Sequence, residues 1–81
     1  MDKDYSEHYR RIGLKVAYYR RLRGITQEEL ANAINKSATL IRNIEAPNQK
    51  TRSYYSITVL FNISDVLKVP LYNFFTDIEF L

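Results

Sequence analysis

Apolar residues recur at helical spacing, every third or fourth position, in several separate segments of the chain. This period places them on one face of an amphipathic helix, whereas a half-buried strand alternates at every second position. The first segment predicts a helix that runs to about Arg23 and is capped at its start by Asp4 and Glu7. Its apolar face consists of Tyr9, Ile12, Val16 and Tyr19. The pattern therefore predicts an all-α fold.

The segment after Gly24 has the sequence signature of a helix start. Thr26 stands three residues before Glu29, which is the spacing of a capping box, in which each side chain bonds the other residue's backbone amide. Gly24 suits the left-handed conformation that closes a preceding helix, and Asn35 also tolerates a positive φ. We therefore expect a second helix over residues 27–34.

A third helix is predicted after only two or three further residues. Ser37 can cap it, and Pro47 ends it because the residue before a proline disfavours helical geometry, so its range is 38–46. One arc of its helical wheel is aliphatic and belongs to the core: Leu40, Ile41 and Ile44. The pair of short helices over residues 27–46 has the geometry of a helix-turn-helix, whose second helix enters the major groove of DNA.

The opposite arc of the third helix has the chemistry to read base pairs. Asn43 suits the bidentate edge of adenine, and Arg42 suits guanine or a phosphate. The methyl groups of Ala38 and Thr39 suit thymine. We expect these four side chains to contact bases. Phosphate contacts are expected from residues at the helix starts and in the polar loop that follows: Gln27, Lys36, Ser37, Lys50 and Arg52.

The combined pattern resembles a known family. An arginine is followed by Thr-Gln-x-x-Leu-Ala, a turn residue, a serine, an aliphatic residue and a glutamate: Arg20, Thr26, Gln27, Leu30, Ala31, Asn35, Ser37, Ile41 and Glu45. This order is similar to that of the lambda-repressor-like DNA-binding domains of the Xre type, over roughly residues 12–75. The chain departs from the family at Asn35, where a glycine is usual, at Arg42, where a serine is common, and in a longer segment after Glu45.

Arg20 and Glu45 each lie at the edge of a predicted apolar stripe, and we predict that they form an ion pair. A lone glutamate beside DNA phosphates would be repelled, whereas a bidentate arginine neutralises it and fixes the angle between the helices. The resemblance implies the same pair. The alternative is that Arg20 contacts a phosphate.

The C-terminal third carries more large apolar groups than one small core can cover. A fourth helix has a core stripe of Leu60, Ile63 and Leu67, and Pro70 begins a fifth that spans 71–75, so we predict a five-helix domain. This excess of large apolar groups predicts a dimerisation region over roughly residues 57–81. Its predicted contact residues are Leu71, Phe74, Phe75, Phe80 and Leu81. The alternative is that Phe80 and Leu81 fold back onto their own core.

Composition sets the class of protein. Eighty-one residues make a single domain, 1–81, and the absence of cysteine removes disulfides and thiolate zinc sites. The N-terminus lacks the apolar segment of a signal peptide, and the longest uncharged run, residues 53–64, is too short to span a bilayer. We therefore expect a cytoplasmic protein without a membrane partner.

Charge is concentrated in the middle of the chain. The net charge is +3, but residues 10–52 hold ten Lys or Arg against three Glu, a balance of +7, and each flank carries −2. Such a distribution fits a surface that displaces counterions from phosphates, although a solvated basic face without a partner has the same composition.

Catalytic patterns are missing from the sequence. His8 is the single histidine, and no nucleophile, metal-ligand or glycine-rich phosphate pattern surrounds it or occurs elsewhere. We expect no enzymatic activity, cofactor, metal or small-molecule ligand. The sequence predicts a homodimeric, sequence-specific repressor of transcription that binds double-stranded DNA. The alternative is a protein-interaction module, antitoxin-like or a regulator's partner, on the same scaffold.

Overall fold

The computed structural model describes residues 5–46 and 55–76. Within these two ranges the chain forms only helices and turns, so the predicted all-α class is confirmed. The elements in chain order are α1 (Ser6–Leu22), α2 (Gln27–Ala33), α3 (Ala38–Glu45), α4 (Ile57–Leu67) and a 3-10 helix (Leu71–Phe74).

The fifth α-helix of the sequence prediction is wrong. Pro70 does precede a helical segment, but that segment is a single turn whose amides bond three residues back, from Asn73 N to the Pro70 carbonyl at 3.0 Å and from Phe75 N to that of Tyr72 at 3.0 Å. The Thr76 hydroxyl donates to the Asn73 carbonyl, which closes the turn. So short a segment forms i to i+3 bonds readily because a continuous α-helix needs more residues to establish its ladder.

Local interactions start α2 and α3 at the predicted places, and residues with positive φ follow the ends of α1 and α2. Thr26 and Glu29 form the capping box, and the Ser37 hydroxyl accepts from Leu40 N at 3.1 Å. Gly24 and Asn35 both have positive φ, at 72° and 59°. The caps at α2 and α3 and the turn between them therefore follow from interactions within a few residues.

The start of α1 differs from the expectation. Tyr5 occupies the N-cap position without a capping bond from its side chain, and Glu7 instead accepts hydrogen bonds from Arg10 and Arg11. These bonds lower the pKa of the Glu7 carboxyl to about 2. A carboxylate one turn before two arginines finds stronger donors in their guanidinium groups than in the helix amides. Asp4, the other predicted cap, lies outside the described residues.

One core joins every element. Its fully buried members are Val16, Leu30, Ile41, Ile44, Ile63, Leu67 and Phe74. The predicted core stripe of α4 is confirmed, since Leu60, Ile63 and Leu67 are all buried.

Phe74 is wrong as a predicted dimer contact. Its side chain is 0 % exposed and meets the Tyr19 ring edge to face, with ring centroids 5.8 Å apart. The 3-10 turn directs Phe74 into the space between α1 and α4, where the hydrophobic effect holds it. Leu71 is half-buried against the core and Phe75 is 39 % exposed. Phe80 and Leu81 lie outside the described residues.

The closest approach of α1 to α3 depends on Gly13. A Cβ added to Gly13 would lie 1.9 Å from the carbonyl oxygen of Ile44, which is far inside van der Waals contact. The obstacle is a backbone atom of α3, so no rotamer change can relieve the clash. Only glycine permits the two helices to pack at this distance.

Gly13→Ala should therefore destabilise the fold. At an unobstructed helical site this change stabilises by roughly 0.5–1 kcal/mol, but here α1 and α3 must separate, and overpacking of this kind costs about 1–3 kcal/mol. We expect the melting temperature followed by circular dichroism to fall by roughly 5–15 °C for a domain of this size. Gly24→Ala is a comparison variant and not a neutral control: it meets open space, so its own loss of about 1–2 kcal/mol reports only the strain of a φ of 72°. A Gly13→Ala variant as stable as the parent would contradict this packing.

Candidate nucleic-acid interface

The turn between α2 and α3 holds these two helices against each other. Asn35 takes the left-handed conformation, and Lys36 N then bonds the Ala31 carbonyl at 2.9 Å, which folds the chain back over the end of α2. Ser37 caps α3 immediately afterwards. The two helices and the turn thus occupy residues 27–45, close to the predicted 27–46.

The predicted ion pair between Arg20 and Glu45 is present. Arg20 Nε donates to Glu45 Oε2 at 2.6 Å, and Arg20 Nη2 donates to Oε1 at 2.9 Å. Each residue is only 8 % exposed. These hydrogen bonds raise the pKa of the Arg20 guanidinium above its ordinary value. A bidentate geometry of this kind satisfies the buried carboxylate and joins α1 to the end of α3.

Two further bonds extend the pair into a network. Arg20 Nη1 donates to the Ile25 carbonyl at 2.9 Å, and Gln27 Nε2 donates to Glu45 Oε1 at 3.0 Å. The network therefore includes α1, the turn after it, the first residue of α2 and the last residue of α3. Each of the three guanidinium nitrogens and each carboxylate oxygen has at least one partner, which offsets part of the cost of burying the two charges.

Gln27 has a different partner from the predicted phosphate. Its side-chain nitrogen is engaged by Glu45 within the protein, and the residue is half-buried. The sequence reasoning missed this bond because Gln27 and Glu45 are 18 residues apart. The phosphate contact of Gln27 stays a prediction, for which the second hydrogen of the amide is available.

The outward face of α3 consists largely of the residues predicted to contact bases. Thr39 and Arg42 are exposed and Asn43 is half-buried, whereas Ile41 and Ile44 on the other face are fully buried. Ala38 is half-buried and packs against the core, so it is the least available of the predicted four. α3 therefore presents one hydroxyl, one guanidinium and one carboxamide side by side on a helix anchored from behind.

Two predicted phosphate contacts flank the start of α3. Lys36 and Ser37 are both exposed. The Ser37 oxygen accepts from Leu40 N, which leaves the hydroxyl hydrogen to donate elsewhere. Lys50 and Arg52 lie outside the described residues.

Several of the cations that made the middle of the chain basic have structural partners. Arg10 and Arg11 bond Glu7, and Arg20 bonds Glu45. Arg23 donates to the backbone carbonyls of Leu67 at 2.6 Å and Lys68 at 3.2 Å, and so caps the C-terminus of α4. The sequence reasoning missed the Arg23 cap, because its acceptors lie more than forty residues away.

Four exposed cations of the described ranges have neither an ion pair nor a side-chain capping bond: Arg21, Lys36, Arg42 and Lys68. Lys36 and Arg42 belong to the turn and to α3 themselves. The positive charge available to a ligand is therefore smaller than the balance of +7 that the sequence gives for residues 10–52. Within α2, the turn and α3, it lies at the start and on the outward face of α3.

Other kinds of site lack support in the described part of the chain. Its residues include no group of three or more acidic or histidine side chains placed to hold a metal ion. None of its helices combines the length and the apolarity that a membrane crossing requires. No protein-family model matches this sequence, and no curated protein matches it either.

Replacing Glu45 should show how strongly the fold depends on the network. Glu45→Ala leaves the buried Arg20 charge without its partner, which costs about 3–5 kcal/mol. We expect a large fall in the melting temperature of the free protein, measured by calorimetry. Glu7→Ala is the matched control, because it removes an exposed carboxylate from an ion pair that water screens.

A double variant distinguishes the cost of leaving a buried charge unpaired from the cost of losing the contact itself. Arg20→Met with Glu45→Leu removes both charges together, and we expect it to melt above Glu45→Ala. Equal melting temperatures for Glu45→Ala, Glu7→Ala and the parent would contradict a structural role for the pair.

Proposed function

We propose that this chain binds double-stranded DNA sequence-specifically as a helix-turn-helix domain of the Xre type, and represses transcription as a homodimer. The observation that carries the proposal is the presentation of α3. Its polar face is turned outward while Ile41 and Ile44 are fully buried behind it. Glu45 at its end is fixed by Arg20 and Gln27.

The dimensions of α3 fit a major groove. An α-helix with its side chains is about 10–12 Å in diameter, and the major groove, about 12 Å wide, admits it. In this proposal α3 enters the groove and α2 lies across the backbone, as in other helix-turn-helix domains. A carboxamide and a guanidinium at adjacent positions, Asn43 and Arg42, supply the two side chains best suited to adenine and guanine edges.

Phosphate contacts set the register of α3 on the duplex. Lys36 and the free hydroxyl hydrogen of Ser37 stand beside the first backbone amides of α3, which have no partner within the helix. Lysine, hydroxyl and amide donors in one place form a suitable site for a phosphate oxygen. Lys50 and Arg52 are proposed as additional contacts from the segment after α3.

Asn43→Ala tests the base-reading role of α3. The preferred site is first selected from random duplexes, and affinities are then measured by fluorescence anisotropy. Removing the carboxamide should weaken binding to that site by about 1–3 kcal/mol and relax the preference at one base pair. Asn62→Ala on α4 makes the same change away from α3 and should leave both affinity and preference intact.

The salt dependence of the same measurements tests the phosphate contacts. The affinity of the parent for its site should fall steeply between low and moderate salt, because the bound protein releases counterions from DNA. An affinity that does not respond to salt, or an Asn43→Ala variant with the parent's profile, would contradict the proposal.

Because Phe74 is buried, we place the proposed dimer face on other apolar side chains that are exposed. Ile57 and Phe61 lie one turn apart on α4 and are both about half exposed, and Phe75 lines the same surface pocket as Ile57. Three large apolar side chains in one region suit an isologous contact between two copies. Two-fold symmetry would place two copies of α3 about 34 Å apart, one turn of DNA, and so double the sequence that is read.

Phe61→Glu tests the dimer. The parent should sediment with a dimer mass at micromolar concentration, and a charge at Phe61 should yield the monomer mass because it cannot be buried against a second copy. Leu22→Glu is the control, since Leu22 is a similarly exposed apolar residue on α1. A parent of monomer mass, or a Phe61→Glu variant that remains dimeric, would rule out this face.

A protein-interaction module is the second candidate function. Its support is a stripe on α1, where Leu14, Tyr18 and Leu22 follow one another at intervals of four residues and are each more than half exposed. Such a stripe suits the apolar face of a partner helix. Binding through it would depend little on salt, so the salt series described above distinguishes the two functions.

A further inference from the structure

An open groove runs along the outer face of α1. Residues four apart lie in rows on the surface of a helix, and parts of two such rows line this groove. Leu14 and Tyr18, which belong to the first row, are each more than half exposed. The groove therefore combines an apolar strip with cations beside it. The two rows are Arg10, Leu14 and Tyr18, and next to them Arg11, Lys15 and Tyr19.

Thr76 also lines the groove, and it is the last residue that the structure describes. The 3-10 helix just before it packs on α1, where the ring of Phe74 meets that of Tyr19 with centroids 5.8 Å apart. The chain that follows Thr76 therefore starts beside the groove. A short tether of this kind gives a segment an effective concentration on the order of millimolar, so that even a weak contact is formed.

The segment after Thr76, residues 77–81, reads Asp-Ile-Glu-Phe-Leu. Alternate side chains of an extended chain point to opposite sides, so Asp77 and Glu79 share one side and Ile78 and Phe80 share the other. Five extended residues span at most about 17 Å, and the part of α1 that lines the groove is about 14 Å long. The segment has the length and the two-sided character that the groove requires.

The formal charges of the groove and of the segment are opposite and equal. Arg10, Arg11 and Lys15 supply three positive charges, and Glu7, which bonds both arginines, cancels one of them. The groove is left with +2, and residues 77–81 carry −2. Complementary charge suppresses wrong pairings and fixes the register of a contact.

We propose that residues 77–81 lie along this groove of their own chain and cover it. Ile78 and Phe80 pack on Leu14 and Tyr18, and the two carboxylates face the cations of the groove. Burial of the apolar groups supplies most of the stability, since exposed ion pairs add little. The proposal rests on neither of the functions proposed above. It bears on the second, because a partner helix would have to displace the segment from the stripe on α1.

Proton contacts measured by nuclear magnetic resonance on the full chain test this docking. We expect nuclear Overhauser effects from the methyl groups of Leu14 to those of Ile78 and to the ring of Phe80. The methyl groups of Leu22 are the control, because Leu22 is exposed on the same helix but does not line the groove, and they should show none. A mixture of isotope-labelled and unlabelled chains distinguishes a contact within one chain from a contact between two copies.

A charge exchange tests the proposed arrangement of the carboxylates. Lys15→Glu should lower the ratio of docked to undocked segment about two- to fivefold, which is the effect of one exposed ion pair. Adding Glu79→Lys should restore the ratio, whereas Lys36→Glu, on the turn before α3, should leave it unchanged. The ratio is read from the Leu14 methyl shift, with the same substitutions in a Phe80→Ser background as the undocked reference.

Three results would overturn the proposal. The first is the absence of contacts between the Leu14 methyl groups and residues 77–81. The second is contacts that occur only between labelled and unlabelled chains, which would assign the segment to a second copy. The third is contact of Phe80 with Ile57 or Phe61, which would place the segment on the proposed dimer face. Failure of Glu79→Lys to restore the ratio would contradict the arrangement of the charges.

Discussion

The orientation of α3 depends on the buried pair of Arg20 and Glu45. Two charges removed from water are expensive unless every donor and acceptor is satisfied, so the pair forms only when the helices meet at one angle. Here Ile25 and Gln27 supply two further bonds, and four parts of the chain must be in register at once. The pair is therefore better understood as a geometric constraint than as a source of net stability.

A second contact holds the same two helices. Gly13 and Arg20 are seven residues apart, so α1 meets α3 at two points separated by roughly 10 Å along its axis. At the first point the backbones touch because Gly13 has no side chain, and at the second the charges pair. On α3 both contacts fall at the C-terminal end, on Ile44 and Glu45, so they fix that end of the helix at a defined place on α1. Side chains are placed accurately on a ligand when the element that carries them is held rigidly.

The distribution of charge follows from this construction. Arg20 and Arg23 are both used to join elements, one to α3 and one to the end of α4. The cations left on the outward face are few, and they lie at the start and on the surface of α3. In the proposed function a symmetric second copy doubles these few cations, and with them the phosphate contacts on which the salt dependence rests.

The sequence by itself determined the features that depend on neighbours within about four residues. The caps at Thr26 and Ser37, the positive φ of Asn35 and the core stripe of α4 were all predictable, because a helix brings such residues together whatever the rest of the chain does. The pair of Arg20 and Glu45 was also predictable, since each residue stands at the edge of a stripe and a buried charge requires a partner.

Only the tertiary structure decided the features that depend on which distant surfaces meet. Phe74 belongs to the core and not to an interface because a 3-10 turn directs it against Tyr19. Gln27 bonds Glu45, Arg23 caps α4, and Gly13 admits the backbone of α3. Composition and spacing are the same whether such a side chain faces solvent, a partner or its own core, and the packing of remote helices alone selects among them.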